Sequence, residues 1–405
     1  MRESARKRSG SLFALFHMDK GERYIPVENW KKYRRHTKKI PKTLDLYVQI
    51  CYTMNKRNAS FYYDIPHMEV HMEKLKIAFI GCGGRNGAHV QKCMARDDLE
   101  YVGFCDVLEE KALAYANRIG VDPAGKLFTN HREMLANIEK PDAVFVAVPP
   151  HQHGDIEFAL IENDIPFLVE KPIALDMDLI LRIQAAIREK NLLVTVGFQD
   201  RYQNLTNIMK DYIQDKEVGL VSAAWFGGIP GVSWWRRMET SGGQVVEQNI
   251  HLFDQARYLF GEPLYVNCAG ARGIVDGDKY GVPGYNVHDY SSAVIKFKSG
   301  VVANIFTGCY VQAGGGMQSG MNIYCKDATL EYALRSWLKI RDVNGEQYYE
   351  RGDEQTGIQD NIFLDAVRTG DRSKLLTDYH DAVKSMKLCM ACNESIETGK
   401  TIFLD

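Results

Sequence analysis

No apolar run in these 405 residues approaches the ~18 residues that a membrane-spanning helix needs, so no bilayer span is expected. An excess of positive charge is also missing. Fifty Lys and Arg stand against 52 Asp and Glu, a formal net charge of −2, which argues against a nucleic-acid surface. Nor is there a disulfide framework: nine cysteines, an odd number scattered along a long chain, read as thiols of a reducing compartment, and a cytoplasmic location is expected. Cys389 and Cys392 form a CxxC, but they lie inside the helical pattern DAVKSMKLCMACNESIETG with no second pair beside them. That is core packing rather than a zinc or redox site, and no metal is expected. What remains, 45% hydrophobic and 25% charged, suits a globular protein with buried cores and a length for two domains.

The segment KLKIAFIGCGGRNGAH, residues 74–89, carries the first chemical signal. A short apolar run breaks into glycine where a nucleotide pyrophosphate needs close backbone approach. Gly81 permits the tight turn out of the strand, and Gly83 keeps side chains away from the N–H groups at the start of the following helix. Gly84 and Arg85 continue this candidate cofactor turn. Asn86 stands where the third glycine of GxGxxG is expected, and Gly87 follows, so the close helix–strand contact is expected one residue later. The next apolar run, EYVGFCD, ends in Asp106, 23 residues after Gly83 and near the ~20-residue offset at which a carboxylate meets ribose hydroxyls. An acid there disfavours a 2′-phosphate and Val107 supplies no arginine, which selects NAD over NADP.

Residues 1–71 carry 15 Lys and Arg against 7 Asp and Glu, no glycine fingerprint and little periodicity, and are read as an extension of undetermined role. SLFALF is too short and poorly flanked for a signal peptide. From Lys74 strand and helix alternate, with strands expected at 75–80, 100–105, 143–148, 166–170 and 192–198. Between them LEEKALAYANRIG and DMDLILRIQAAIREKN have helical spacing. This pattern predicts a doubly wound parallel sheet over 72–198. After about residue 200 long alternating runs take over, among them GLVSAAWFGGI, YSSAVIKFKSGVVANIFTG, MNIYCKDATLEYAL and SWLKIRDVNGEQYYE, with KSG and NG as hairpin turns. They predict a large, mainly antiparallel open sheet within 199–405. The last 45 residues return to helix, with TIFLD as a closing strand.

Three further motifs complete the pattern: VFVAVPPHQHGD with Pro149 and His153, PFLVEKP with Glu170, Lys171 and Pro172, and SGGQVVEQNIHLFDQARYLFGEP at 241–263. With the glycine segment they resemble the Gfo/Idh/MocA oxidoreductases over essentially all of 74–405. The resemblance implies an NAD-binding Rossmann fold joined to an open-sheet α/β domain. It also implies a sugar or cyclic-polyol substrate between them, and dimers or tetramers formed through the outer sheet face.

Taking hydride from a carbinol carbon requires the hydroxyl proton to leave as the C–H bond breaks, so a base must reach that oxygen. Lys171, just beyond a buried strand end, is the candidate, because an ammonium there is disfavoured by desolvation and by the cationic nicotinamide. Glu247, His251 and Asp254 fall at helical i, i+4 and i+7 positions and are expected on one face. The resemblance implies that a carboxylate, most often Asp, and a histidine from this helix meet the substrate hydroxyls. Here the carboxylate is Glu247, one methylene longer. Asp254 is expected to orient His251 or cap a neighbouring group. Pro149, His153 and Glu170 are expected near the cofactor, with His151 a loop residue. Arg201 is read either as a substrate contact or as a salt bridge under the domain junction. Trp234, Trp235 and Arg236 offer aromatic faces and a cation for a sugar, or else anchor a loop. Tyr285 and His288 are weaker candidates.

Three functions compete: an NAD-dependent dehydrogenase of sugars, glycosides or cyclic polyols; an NAD-retaining enzyme that cleaves glycosides by transient oxidation and elimination; and a non-catalytic nucleotide sensor. The intact EKP and His251 count against the last.

Overall fold

Buried apolar strands followed by one-sided helices leave a parallel sheet as the way to cover both faces, and the computed structural model of the chain has this arrangement. The structure describes residues 73–311, 319–352 and 354–404, so the whole 1–71 extension lies outside it. The first half runs β1 (Leu75–Ile80), α1 (Gly84–Cys93), β2 (Leu99–Cys105), α2 (Glu109–Ile119), β3 (Leu127–Phe128), α3 (His131–Asn137), β4 (Ala143–Val146), α4 (Asp155–Glu162), β5 (Phe167–Val169), α5 (Met177–Glu189) and β6 (Val194–Val196). Its six strands are all parallel in the order β3-β2-β1-β4-β5-β6. The order reverses beside β1, so the crevice beyond the carboxyl ends of β1 and β4 is a natural ligand position.

After α6 (Asn204–Ile213) come β7 (Val218–Phe226), α7 (Ile250–Phe260), β8 (Pro263–Ala271), β9 (Tyr290–Phe297), β10 (Val302–Gly308), β11 (Gly320–Cys325), β12 (Ala328–Ala333), β13 (Trp337–Asp342) and β14 (Gly345–Glu350). The chain ends with α8 (Gln355–Thr369), α9 (Tyr379–Thr398) and β15 (Ile402–Phe403). Nine strands form one sheet in the order β14-β13-β12-β11-β7-β10-β9-β8-β15, antiparallel except for β7 beside β10. The expected closing strand is β15, paired with β8. The KSG hairpin joins β9 to β10. The NG turn is shifted by one residue: Asp342 faces Gly345, which puts Val343 and Asn344 in the turn.

Helix α8 departs from the expected partition. Glu354 caps it by accepting from the N–H groups of Thr356 and Gly357, and Gly370 at φ 76° ends it. Its inner face does not join the second sheet's core. Phe363, Leu364 and Ala366 pack with Phe79, Phe104 and Phe145 of the parallel sheet, where Phe79 and Phe145 stack at 5.2 Å and Phe363 meets Phe145 edge-on at 5.6 Å. Burying such a phenylalanine stabilises by roughly 2–3 kcal/mol, so α8 seals the cofactor half although it follows the second sheet in sequence. A cut at 198/199 therefore does not separate two cores. Cys389 and Cys392 lie fully buried on α9.

Candidate active site

Gly81 ends β1 at φ 83°, where a Cβ would fall 2.2 Å from the carbonyl oxygen of Ala147 beyond β4. Only glycine fits there. A Cβ at Gly83 or Gly84 would meet nothing within 4 Å, so the N-terminus of α1 opens onto free space. Those two glycines, helix N–H groups aimed into the opening and a carboxylate at the end of β2 suit a dinucleotide. Asp106 reaches the same turn, accepting from the Cys82 N–H at 2.8 Å and the Leu108 N–H at 3.0 Å.

Asn86 behaves differently from expectation. It is completely buried, and its amide nitrogen donates to the carbonyls of Ile80, Gly81 and Phe145 at 3.0, 2.8 and 3.3 Å. Its side chain therefore ties α1 to the strand ends and has no reach to a cofactor. Gly87 does not take over the helix–strand contact either, since its missing side chain faces Tyr115 and Arg118 on the α2 side.

The EKP segment leaves β5 with a cis Lys171–Pro172 peptide. Glu170 is buried, and Arg85 Nε donates to its Oε1 at 2.7 Å. Burial opposes its ionisation, but Arg85, His89 and Lys171 outweigh that and bring the carboxyl down to about 2. Lys171 Nζ donates to the Glu247 carbonyl at 2.7 Å and lies 3.3 Å from Glu247 Oε1. Burial pushes the Glu247 carboxyl up to about 7 against the pull of Lys171, and its Oε2 is buried without a partner. The base candidate of the first half thus touches the carboxyl candidate of the second.

Glu247 lies in a π-helical turn, Val245–Asn249, which enters through Gly242 and Gly243, both at positive φ, and runs into α7. The wider turn breaks the expected register. His251 is buried with its Nδ1 3.5 Å from Asp200 Oδ2 and its ring beside Trp225, the centroids 6.0 Å apart. Burial, then the charges of Lys171, Arg335 and Arg85, hold it well below the usual histidine range, so it is a neutral imidazole. Asp254 does not orient His251 but takes the capping role. It pairs with Arg201 at 2.6 and 2.8 Å and accepts from Ser385 at 2.6 Å.

That pair settles Arg201, which is buried and also pairs with Asp381 at 2.6 Å. It is the junction salt bridge, not a substrate contact. Arg236 is spent within its own loop, donating to the carbonyls of Pro230 and Gly231 at 2.7 and 3.0 Å. Trp234 and Trp235 stack at 6.1 Å, half-buried, in a loop whose Thr240 carbonyl meets His151 Nδ1 at 3.1 Å. That contact carries the loop across to the segment of Pro149 and His153. His153 is buried with Nδ1 on Glu157 and Nε2 unpartnered. Pro149, half-buried, follows the Ala147 that abuts Gly81. Tyr285 is engaged with Cys309 and His288 faces Glu397, so neither joins the group.

Three participants are absent from the motif reading. Asp200 adjoins Arg201 in FQDRY and was legible as a carboxylate after β6. Arg335, at φ 54° between β12 and β13, grips Asp200 through Nε and Nη2, both at 2.8 Å. No local pattern announces it. Gly197 gives Glu170 its room.

With this geometry in place, comparisons with known proteins are specific. Residues 75–198 match an oxidoreductase family with an NAD-binding Rossmann fold, and 209–331 match the GFO/IDH/MocA C-terminal domain. The scyllo-inositol 2-dehydrogenase (NAD(+)) of Bacillus subtilis is 24% identical over 348 residues, 82% of this chain and 97% of that protein. The D-glucoside 3-dehydrogenase of Escherichia coli is 24% identical over 351 residues, with the same two coverages. Among solved structures, the aldose-aldose oxidoreductase of Caulobacter crescentus superposes with a TM-score of 0.71 at 18% identity, over 82% of this chain and all of that one, which shows the shared fold.

Proposed function

The chain belongs to the Gfo/Idh/MocA family of NAD-binding oxidoreductases, which act on CH–OH groups, and we propose that its substrate is a sugar, glycoside or cyclic polyol with a secondary hydroxyl. The observation that carries the reading is the contact of Lys171 Nζ with Glu247 across the junction of the two halves. It puts a proton acceptor from each half at one place, beside the glycine turn that Arg85 links to Glu170.

Bound nicotinamide supplies the hydride acceptor. Lys171 Nζ passes a proton to ionised Glu247 Oε1, whose affinity for a proton near neutrality suits that exchange, and the amine so freed takes the hydroxyl proton. Neutral His251 orients the same hydroxyl without adding charge. Arg85 and Glu170 hold the lysine segment against the cofactor turn. Trp234 and Trp235 supply an apolar face for the C–H side of a ring.

The relatives acting on inositol and glucoside hydroxyls support a cyclic polyol. A cytoplasmic location and a homodimer or homotetramer belong to the same reading. The free thiols of the described cysteines suit the first, and the exposed Leu220, Val294 and Tyr324 on the outer sheet face suit the second. No helix among the described residues is long and apolar enough to cross a membrane.

The test is a cofactor-reduction screen over pyranoses, glycosides, inositols and uronic acids, read for both NADH and released aglycone. Steady NADH formation is expected. Aglycone release without net NADH would replace oxidation with cleavage, and activity confined to acyclic hydroxy or amino acids would overturn the ring substrate.

A further inference from the structure

His89 is fully buried on α1 between two carboxylates from distant parts of the chain. Its Nδ1 lies 2.8 and 2.9 Å from the two oxygens of Asp360 on α8, and its Nε2 lies 3.1 Å from Glu170 Oε1. With both carboxylates ionised they accept and do not donate, and a ring serving both then carries hydrogen on both nitrogens; burial raises the Asp360 carboxyl above its usual range, against the pull of His89 and Arg85. Arg85 shares the Glu170 oxygen, and the second oxygen of Glu170 accepts the backbone N–H of Lys171 at 3.2 Å. A continuous chain of contacts therefore runs from Asp360 through His89 and Glu170 to the backbone of Lys171.

We propose that His89 is a charged positioning residue: as an imidazolium gripped by Asp360, it fixes Glu170 and through it the placement of Lys171. This rests on the assignment of proton transfer to Lys171. The groups facing the ring are Asp360 from α8, Glu170 beyond β5 and Arg85 from α1, while Lys171 acts on Glu170 and the Cys93 thiol lies near Asp360. Burial opposes a charged ring, but Asp360 and Glu170 outweigh it and raise His89 above the ordinary histidine range. The device also gives α8 a role beyond sealing the core, because its Asp360 stands behind the residue that orders the base.

Two labelled forms of the full chain test this. In [15N]histidine spectra at about pH 7.5, above the ordinary histidine midpoint, the signal removed by His89→Gln should show both ring nitrogens protonated. A neutral single tautomer overturns the charged ring. In [15N]lysine spectra, Asp360→Asn should shift the Lys171 amide, identified by its loss in Lys171→Arg, and Asp360→Glu should restore part of the shift. An unmoved Lys171 amide overturns the positioning role. With a cyclic polyol that reduces NAD, Asp360→Asn should lower kcat about tenfold or more, leave KM for NAD unchanged and displace the pH profile. Loss of melting temperature alone, with kcat and pH profile intact, makes His89 merely structural and overturns the proposal. If no polyol reduces NAD, the functional reading fails while the two spectra still decide this one.

Discussion

A methyl group on Gly197 would lie 2.3 Å from Oε1 and 2.5 Å from Oε2 of Glu170. The glycine after β6 is therefore the space into which the buried carboxylate fits. Gly197→Ala should displace Glu170 from Arg85 and His89, leaving charges buried without full partners. A loss of about 3 kcal/mol or more is expected, read as a lower urea midpoint together with slower NADH formation. A variant matching the parent in both would show that Glu170 has room to spare.

Lys171→Ala should leave NAD affinity nearly intact while lowering turnover by roughly 10²- to 10⁴-fold, the range for a positioned proton-transfer group. Lys171→Arg should not restore it, because a guanidinium stays protonated and cannot accept the proton. His251→Ala should also slow turnover, and the double variant should lose less than the product of the two if both serve one step. Near-normal kcat in Lys171→Ala would transfer the base role to the second half.

Asp106, proposed to meet a ribose hydroxyl, accepts from the Cys82 N–H of the glycine turn. The unmodified protein should bind NAD more tightly than NADP, and Asp106→Ser should narrow the gap. Titrating both cofactors by protein fluorescence measures it, and equal or tighter NADP binding would remove the argument.

Glu247 should leave two marks on pH dependence. Its folded carboxyl, pushed up to about 7, stands above the ~4.3 of an unfolded glutamate. Below pH ~4 both states are protonated. Between about 4 and 7 the unfolded chain ionises while the folded one keeps its proton, so stability falls as pH rises through that window and is level above it. Glu247→Gln should remove this term, and its stability relative to the parent should improve by about 3 kcal/mol between the two ends of the window. Urea midpoints at both ends measure it, and identical pH dependence in the two proteins would contradict the assignment. In the oxidative direction, kcat/KM of the parent should decline as pH drops through about 7, and Glu247→Gln should lose that limb.

The contrast between what was and was not legible follows the range of the interactions. The glycine turn, the EKP segment and the GG entry to α7 are local devices, each encoded where its backbone demand arises, so Gly81, Lys171 and His251 could be read directly. β3 escaped because two residues leave no periodicity. The π turn that carries Glu247 shifts it relative to His251 without an unusual residue to mark it, and of the two roles open to Asp254 only its partners Arg201 and Ser385, far away in sequence, select the capping one. Arg201 and Arg335 look alike in sequence, yet one is consumed by Asp254 and Asp381 and the other approaches His251 through Asp200. Only pairing with partners 53 or more residues away distinguishes them. The seat of α8 was illegible for the same reason, since an amphipathic helix does not say which sheet it covers.

That seat has a practical consequence for recombining parts between related chains. A chimera joined at residue 198 would import a cofactor half without the Phe363 that completes its aromatic layer and without the Asp360 behind its histidine. The transplantable unit is discontinuous: residues 73–198 travel with 355–369, and an exchange that respects only chain order grafts half a core.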